Sequence, residues 1–220
     1  MKKALIFDLD NCLAAANEVG DALFEPAFEA MRQANHGTVA EEVLRQAFAD
    51  VWRHPLDWVA ARHGFSAAML AAGSQAFQTI EVTGRMVGYG DLASLAELPA
   101  DKFLVTSGFR RLQESKIRAL QLEPLFTAIF VDAIGEPGRL GKLGLFQKIL
   151  ADYRLIPEEV LVVGDNADSE LAAGQRLGIA TVQTLRPGVP LASKATFHIH
   201  SLTGLKQLLK RLNEYTQPTG

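Results

Sequence analysis

The chain has 220 residues, 48% of them hydrophobic and 21% charged, with a formal net charge of −3. That supply of apolar residues excludes a long disordered chain, and the acidic balance excludes a dedicated electrostatic partner for nucleic acid or anionic membrane. A single cysteine excludes a disulfide framework and a cysteine-rich zinc site, and its free thiol fits a reducing cytoplasm.

The opening stretch, MKKALIFDLDNCLAAA, sets lysines before an apolar run as a secretory leader would, but Asp8 and Asp10 interrupt that run. Further on, no uninterrupted apolar stretch is long enough to cross a bilayer. The reading is therefore a soluble, cytoplasmic protein. Residues 3–9 form a first strand buried on both faces. Residues 14–90 show no strand pattern. They read as about four helices, with Thr38 and Glu41 as a capping box, Gly37 and Gly64 as helix stops, and Ser66 as the cap of an Ala-rich helix.

Strands follow at 102–106, 128–131, 160–163 and 179–182, with a weaker one at 197–199. Helical patterns lie at 109–120, 143–153, 168–177 and 203–213, and the end from Tyr215 to Gly220 reads as frayed. Alternation of strand and helix predicts an α/β fold, Rossmann-like, with a mostly parallel sheet and helices on both faces. The insert after the first strand is several times longer than a parallel crossover needs. It predicts a small all-helical unit over 15–88 beside a core of 1–14 and 89–215.

Ligands of open α/β sheets sit at the carboxyl ends of the strands. Asp8 and Asp10 follow the first strand, Thr106, Ser107 and Gly108 the second, and Asp132 the third. Gly164, Asp165, Asn166, Asp168, Ser169 and Glu170 follow the fourth, and Lys142 opens the preceding helix. Crowded carboxylates raise one another's pKa or recruit a cation, and oxygen ligands without His or Cys suit a hard ion such as Mg²⁺. Together with a lysine, a Thr/Ser hydroxyl and backbone N–H groups, such a set suits a phosphoryl group, and an Asp can serve as its nucleophile. In a strand, residues i and i+2 point the same way, so Asp8 and Asp10 can flank one phosphorus.

The ordered set Asp8-Leu-Asp10-Asn11, Thr106-Ser107-Gly108, Lys142, and Gly164-Asp165 with Glu170 resembles the four motifs of the haloacid dehalogenase-like hydrolase superfamily. The helical insert is similar to that superfamily's cap. The resemblance implies Asp8 as nucleophile, Asp10 as general acid and base, Thr106 as the phosphoryl-binding hydroxyl and Lys142 as the neutralising cation. It implies Mg²⁺ held by Asp8, the Asp10 carbonyl and Asp165, with Glu170 as a further acidic residue holding metal-bound water. Lys148 competes with Lys142 but stands closer to Asp165 than the family's usual interval. Cys12 stands where the family often has Thr or Val, and the Pro common after the lysine is absent. Dehalogenases of the superfamily lack the second acidic residue, so Asp10 points to phosphoryl transfer.

The implied substrate is a small phosphorylated metabolite, such as a nucleoside or sugar phosphate. Asn11, Ser107 and Gly108 are candidate substrate contacts, as are Arg53, His54, Arg62 and His63 reaching down from a mobile cap. Asp168 and Ser169 read as a helix cap, Asp132 as a loop or outer-shell group, Cys12 as buried filler, and Trp52 and Trp58 as packing between cap helices. A phosphomutase on the same scaffold and a non-catalytic phosphoryl-binding domain are the alternatives. A receiver domain has the wrong motif order, and the glycines before Lys142 are misspaced for a P-loop.

Overall fold

Six strands, β1 (Ala4–Phe7), β2 (Asp101–Gly108), β3 (Ala128–Ala133), β4 (Val160–Gly164), β5 (Ala180–Thr184) and β6 (Phe197–Ile199), form one sheet in the order β3-β2-β1-β4-β5-β6. Every pairing is parallel. A computed structural model gives this fold for residues 1–215. The expected fraying toward Gly220 concerns residues from 216 on, outside the described residues.

Apolar residues on both sides of each central strand explain why the sheet is covered twice. Leu5, Phe7, Leu104, Leu161 and Val163 pack against α5 (Arg110–Ala119) and α8 (Leu202–Tyr215). Ile6, Phe103, Val105 and Val162 pack on the opposite face against α6 (Gly141–Asp152) and α7 (Glu170–Arg176). Burial on both faces is what a parallel sheet requires.

Between β1 and β2 run α1 (Glu25–Gln33), α2 (Glu41–Asp50), α3 (Leu56–His63) and α4 (Ala67–Thr79). Their apolar faces form a second core of Phe24, Phe28, Met31, Leu44, Phe48 and Phe77, which continues onto Phe109, Leu112 and Ile134 beside the sheet. Gly64 ends α3 in the left-handed conformation, and Ser66 Oγ accepts the Met69 N–H at 3.2 Å to cap α4.

The capping box does not form. The chain turns through positive φ at His36 and Gly37, and this carries the Thr38 hydroxyl backward to donate to Asn35 O at 2.7 Å. Asn35 closes that turn on both Val39 N–H and Val39 O, and α2 starts after Ala40 with no side-chain cap. Gly37 belongs to this turn, past the end of α1. Ser169 and Asp168 do not cap α7 with their side chains either: Ser169 makes no capping bond, and Asp168 donates its own N–H to Asn166 Oδ1.

Candidate active site

β1 ends at Phe7, and the next N–H, that of Asp8, donates to Val163 O of β4 at 3.0 Å. This fixes Asp8 at the carboxyl edge of the sheet with its side chain nearly buried. The chain then turns at once. Leu13 N–H donates to Leu9 O at 2.9 Å, and Asn11 adopts φ +57°, a conformation Asn tolerates. Asp10 lines the same cavity as Asp8.

Lys142 lies in the first turn of α6, whose start is fixed by Gly141 N–H donating to Asp132 Oδ1 at 3.0 Å. Its ammonium stands 2.8 Å from Asp8 Oδ1 and 2.8 Å from Glu170 Oε2. The other oxygen of Glu170 accepts Asn166 N–H at 2.6 Å. Gly164 makes room for this crossing, since a Cβ there would lie 2.3 Å from Glu170 Cγ. Asp8, Asp165 and Glu170 each offer a carboxylate oxygen within 4.8 Å of the others. Lys148 instead pairs with Asp152 at the surface.

Thr106 is buried, and its Oγ accepts from Gln113 Nε2 at 2.5 Å, which leaves the hydroxyl proton free to donate into the cavity. Gly108 lets the Gln113 side chain pass, because a Cβ would meet Gln113 Cγ at 2.9 Å. Gln113 also donates to Asp10 Oδ2 at 2.9 Å, and Lys116 places its ammonium 2.8 Å from Asp10 Oδ1. Neither residue stands out in a motif search. Their only sequence signal is a polar pair at helical spacing beside the apolar stripe of α5. Ser107 is less available than expected, since its hydroxyl donates to Asp132 Oδ2 at 3.0 Å. Asp132 also accepts from Arg139 and is a buried organiser of the α6 start. Cys12 is fully buried and serves as filler.

Burial pushes the Asp8 carboxyl up to about 7, against the pull of Lys142, with Glu170 and Asp10 adding repulsion. Asp165 is pushed up to about 8 by burial first, then by Glu170 and Asp8, with Lys142 and Arg53 opposing. Lys142 is driven the other way, well above its usual value: burial alone would lower it, but Asp8 and Glu170 outweigh that. The three carboxylates of Asp8, Asp165 and Glu170 thus outnumber the cations set against them, Lys142 and Arg53.

The insert reaches this cluster through its α2–α3 loop. Arg53 Nη2 donates to Asp165 Oδ2 at 3.3 Å and Nη1 to Gly188 O at 3.3 Å. Asn166 Nδ2 donates to Arg53 O at 3.2 Å. Asn11 Nδ2 donates to Trp52 O at 3.1 Å, and its Oδ1 accepts Ala16 N–H, so Asn11 fastens the insert through both ends of its amide. His54 lines the cavity and stacks on Trp58 at 3.8 Å, and Trp52 stacks on Phe24 at 4.4 Å. Arg62 and His63 do not meet the expectation. Arg62 is exposed and His63 binds Asp50 at 2.7 Å within the insert, so both lie away from the cavity; the helical face carrying them turns from the sheet.

Residues 2–178 match the family model of the haloacid dehalogenase-like hydrolases. The chain is 24% identical over 193 residues to glyceraldehyde 3-phosphate phosphatase of Pyrococcus furiosus, covering 82% of this chain and 79% of that one. Among solved structures, magnesium-bound YfnB of Bacillus subtilis superposes with a TM-score of 0.61 at 16% identity, over 94% of this chain and 98% of the other. L-2-haloacid dehalogenase of Xanthobacter autotrophicus superposes with a TM-score of 0.57 at 18% identity, over 96% and 99% of the two chains.

Proposed function

Because the chain belongs to the haloacid dehalogenase-like hydrolases, we propose that it is a Mg²⁺-dependent phosphatase that hydrolyses a small phosphomonoester through an aspartyl-phosphate on Asp8. One observation carries this reading: Asp8 and Asp10 open onto one cavity, with Lys142 Nζ 2.8 Å from Asp8 and the Thr106 hydroxyl proton free to point into it. The phosphatase from Pyrococcus furiosus supports the phosphoryl chemistry. Asp10 favours it over carbon–halogen hydrolysis, which needs no second carboxylate.

The residues fit a hard dication. Two crowded, buried carboxylates, Asp8 and Asp165, are both pushed up, and their donors are oxygen only. Mg²⁺ would be held by these two with the Asp10 backbone carbonyl, and Glu170, with both oxygens engaged, would act from outside on Lys142 and on metal-bound water. When bound, the ion supplies charge neutralisation for phosphoryl oxygens.

The chain's own groups then divide the work. Lys142 and Thr106 receive phosphoryl oxygens, and the Asp8 carboxylate attacks phosphorus. The P–O bond to the alcohol breaks, and Asp10 gives the departing oxygen its proton. Water next attacks phosphorus, Asp10 takes the water's proton, and phosphate leaves with Asp8 restored. The helices of residues 15–88 serve as a cap that shields the intermediate from bulk water. A phosphomutase would differ only in returning the phosphoryl group to substrate.

The test is turnover of p-nitrophenyl phosphate with Mg²⁺, in wild type and in Asp8→Asn. Wild type should release phosphate and Asp8→Asn should not, while its circular dichroism and unfolding remain those of a folded chain. Substantial phosphatase activity in clean Asp8→Asn would remove Asp8 from its role.

A further inference from the structure

The cavity has two unlike ends. At one stand the carboxylates, Lys142 and Thr106. At the other stand Val51, Leu56 and Phe77 of the insert, facing Leu112 and Ile134 on the sheet side. Four of these five are nearly buried, and Val51 is half-buried.

Most of the polar side chains that line the cavity are already engaged. Arg53 is bonded to Asp165, Gln113 to Thr106 and Asp10, and Lys116 to Asp10. Asn11 is bonded to Trp52 O and Ala16 N–H. The His54 ring is covered on one face by Trp58. A leaving group that reaches this far end therefore meets hydrocarbon and aromatic rings, and the five side chains there offer no donor or acceptor to match a hydroxyl. The cavity measures about 90 Å³, a volume that suits a phosphoryl group with a short alcohol.

We propose that this site takes phosphomonoesters of short apolar alcohols, branched alkyl or small aryl, in preference to polyol and sugar phosphates of the same size. The inference rests on the phosphatase reading and adds the class of leaving group. Burying a hydroxyl against Leu112 and Ile134 strips it of water without a partner, which is costly, whereas a methyl group gains from the same burial.

The experiment compares 2-methylpropyl phosphate with glycerol 3-phosphate on the Mg²⁺-loaded full chain, with acetyl phosphate as a third substrate. The two alcohols are similar in size, and the glycerol alkoxide is the better leaving group, so intrinsic reactivity works against the expected order. kcat/KM should favour 2-methylpropyl phosphate by about tenfold or more, the scale on which pockets discriminate by one such group. Val51→Thr exchanges a methyl for a hydroxyl on a side chain of the same shape, and Ile134→Thr adds a hydroxyl from the opposite wall while shortening the side chain by one carbon. Each should lower that ratio about threefold or more, given what one buried polar match is worth. A ratio within one preparation does not depend on the fraction of enzyme folded. If acetyl phosphate is turned over but glycerol 3-phosphate matches or beats 2-methylpropyl phosphate, the leaving-group class is overturned and the phosphatase reading stands. If none of the three substrates is hydrolysed, the phosphatase reading itself falls.

Discussion

Lys116 places a buried ammonium 2.8 Å from the Asp10 carboxylate, yet the two partners are not equally sheltered: the Lys116 side chain is 4% exposed and that of Asp10 is 23% exposed. Removing one partner of a pair hurts through the charge left behind, and a charge left deep in the protein costs more than one that water can reach. Asp10→Asn strands the ammonium against Gln113 and the strand ends. Lys116→Met leaves a carboxylate that still has Gln113 and some solvent. Asp10→Asn should therefore destabilise by about 3 kcal/mol and Lys116→Met by only about 1 kcal/mol. Urea unfolding of both variants checks the order, and a larger loss for Lys116→Met would refute the burial argument.

The fold was legible because its strands are short apolar runs that only a doubly covered parallel sheet explains, and Ala128–Ala133 and Val160–Gly164 lie where those runs predict. Lys142 was legible from its place before β4. What could not be read were contacts made by side chains crossing between elements. Nothing local shows that Gln113 reaches back to Thr106 and Asp10, or that Ser107 spends its hydroxyl on Asp132. The insert was harder still. Arg53 and Arg62 are both arginines beside a histidine, and only the packing of α3 decides which of them faces the sheet. The Thr38 box failed for a local reason, a turn through His36 and Gly37 that periodicity does not register.

Metal and pH should act on one equilibrium. Asp8 and Asp165 have folded values of about 7 and about 8, above the unfolded carboxyl value. Between roughly pH 4 and those values the folded, metal-free chain keeps protons that the unfolded chain has released. By linkage its stability is full at the acid end of that window and falls as pH rises through it. Mg²⁺ replaces those protons, so it should stabilise little at pH 5.5 and much more at pH 8.5. Melting temperatures with Mg²⁺ and with chelator, at both pH values, give the comparison. A shift of equal size at the two would remove Asp8 and Asp165 as the linked groups, and Asp165→Asn should shrink the shift at pH 8.5. Activity should vanish with excess chelator and return with Mg²⁺.

Arg53 and Arg62 make a matched pair of tests for the insert. The Arg53 guanidinium lies against Asp165 at the phosphoryl end of the cavity, whereas Arg62 is on the exposed side of α3. Charged hydrogen bonds to a bound anion are worth enough that Arg53→Ala should raise KM for p-nitrophenyl phosphate roughly tenfold. Arg62→Ala should stay within about twofold, as surface changes usually do. Steady-state kinetics on both variants decide, and a larger effect from Arg62→Ala would mean that the insert presents a different face to substrate.

The role of Asp10 makes an asymmetric forecast. If it protonates the departing alcohol, its loss matters in proportion to how badly that alcohol leaves. p-Nitrophenolate needs little protonation, and an alkyl alkoxide needs much. General acid catalysis is typically worth about 10²–10⁴-fold, so Asp10→Asn should slow alcohol release from an alkyl phosphate by at least about a hundredfold more than from p-nitrophenyl phosphate. The rate to measure is single-turnover release, since steady state would mix in the water step, for which Asp10 is also the base. The assay must run well below the lowered melting point of the variant, because Asp10→Asn also strands Lys116. The comparison of two leaving groups on one preparation removes that loss from the result. Equal slowing of both would show that Asp10, anchored by Lys116 and Gln113, positions water or metal and does not carry the proton to the leaving group.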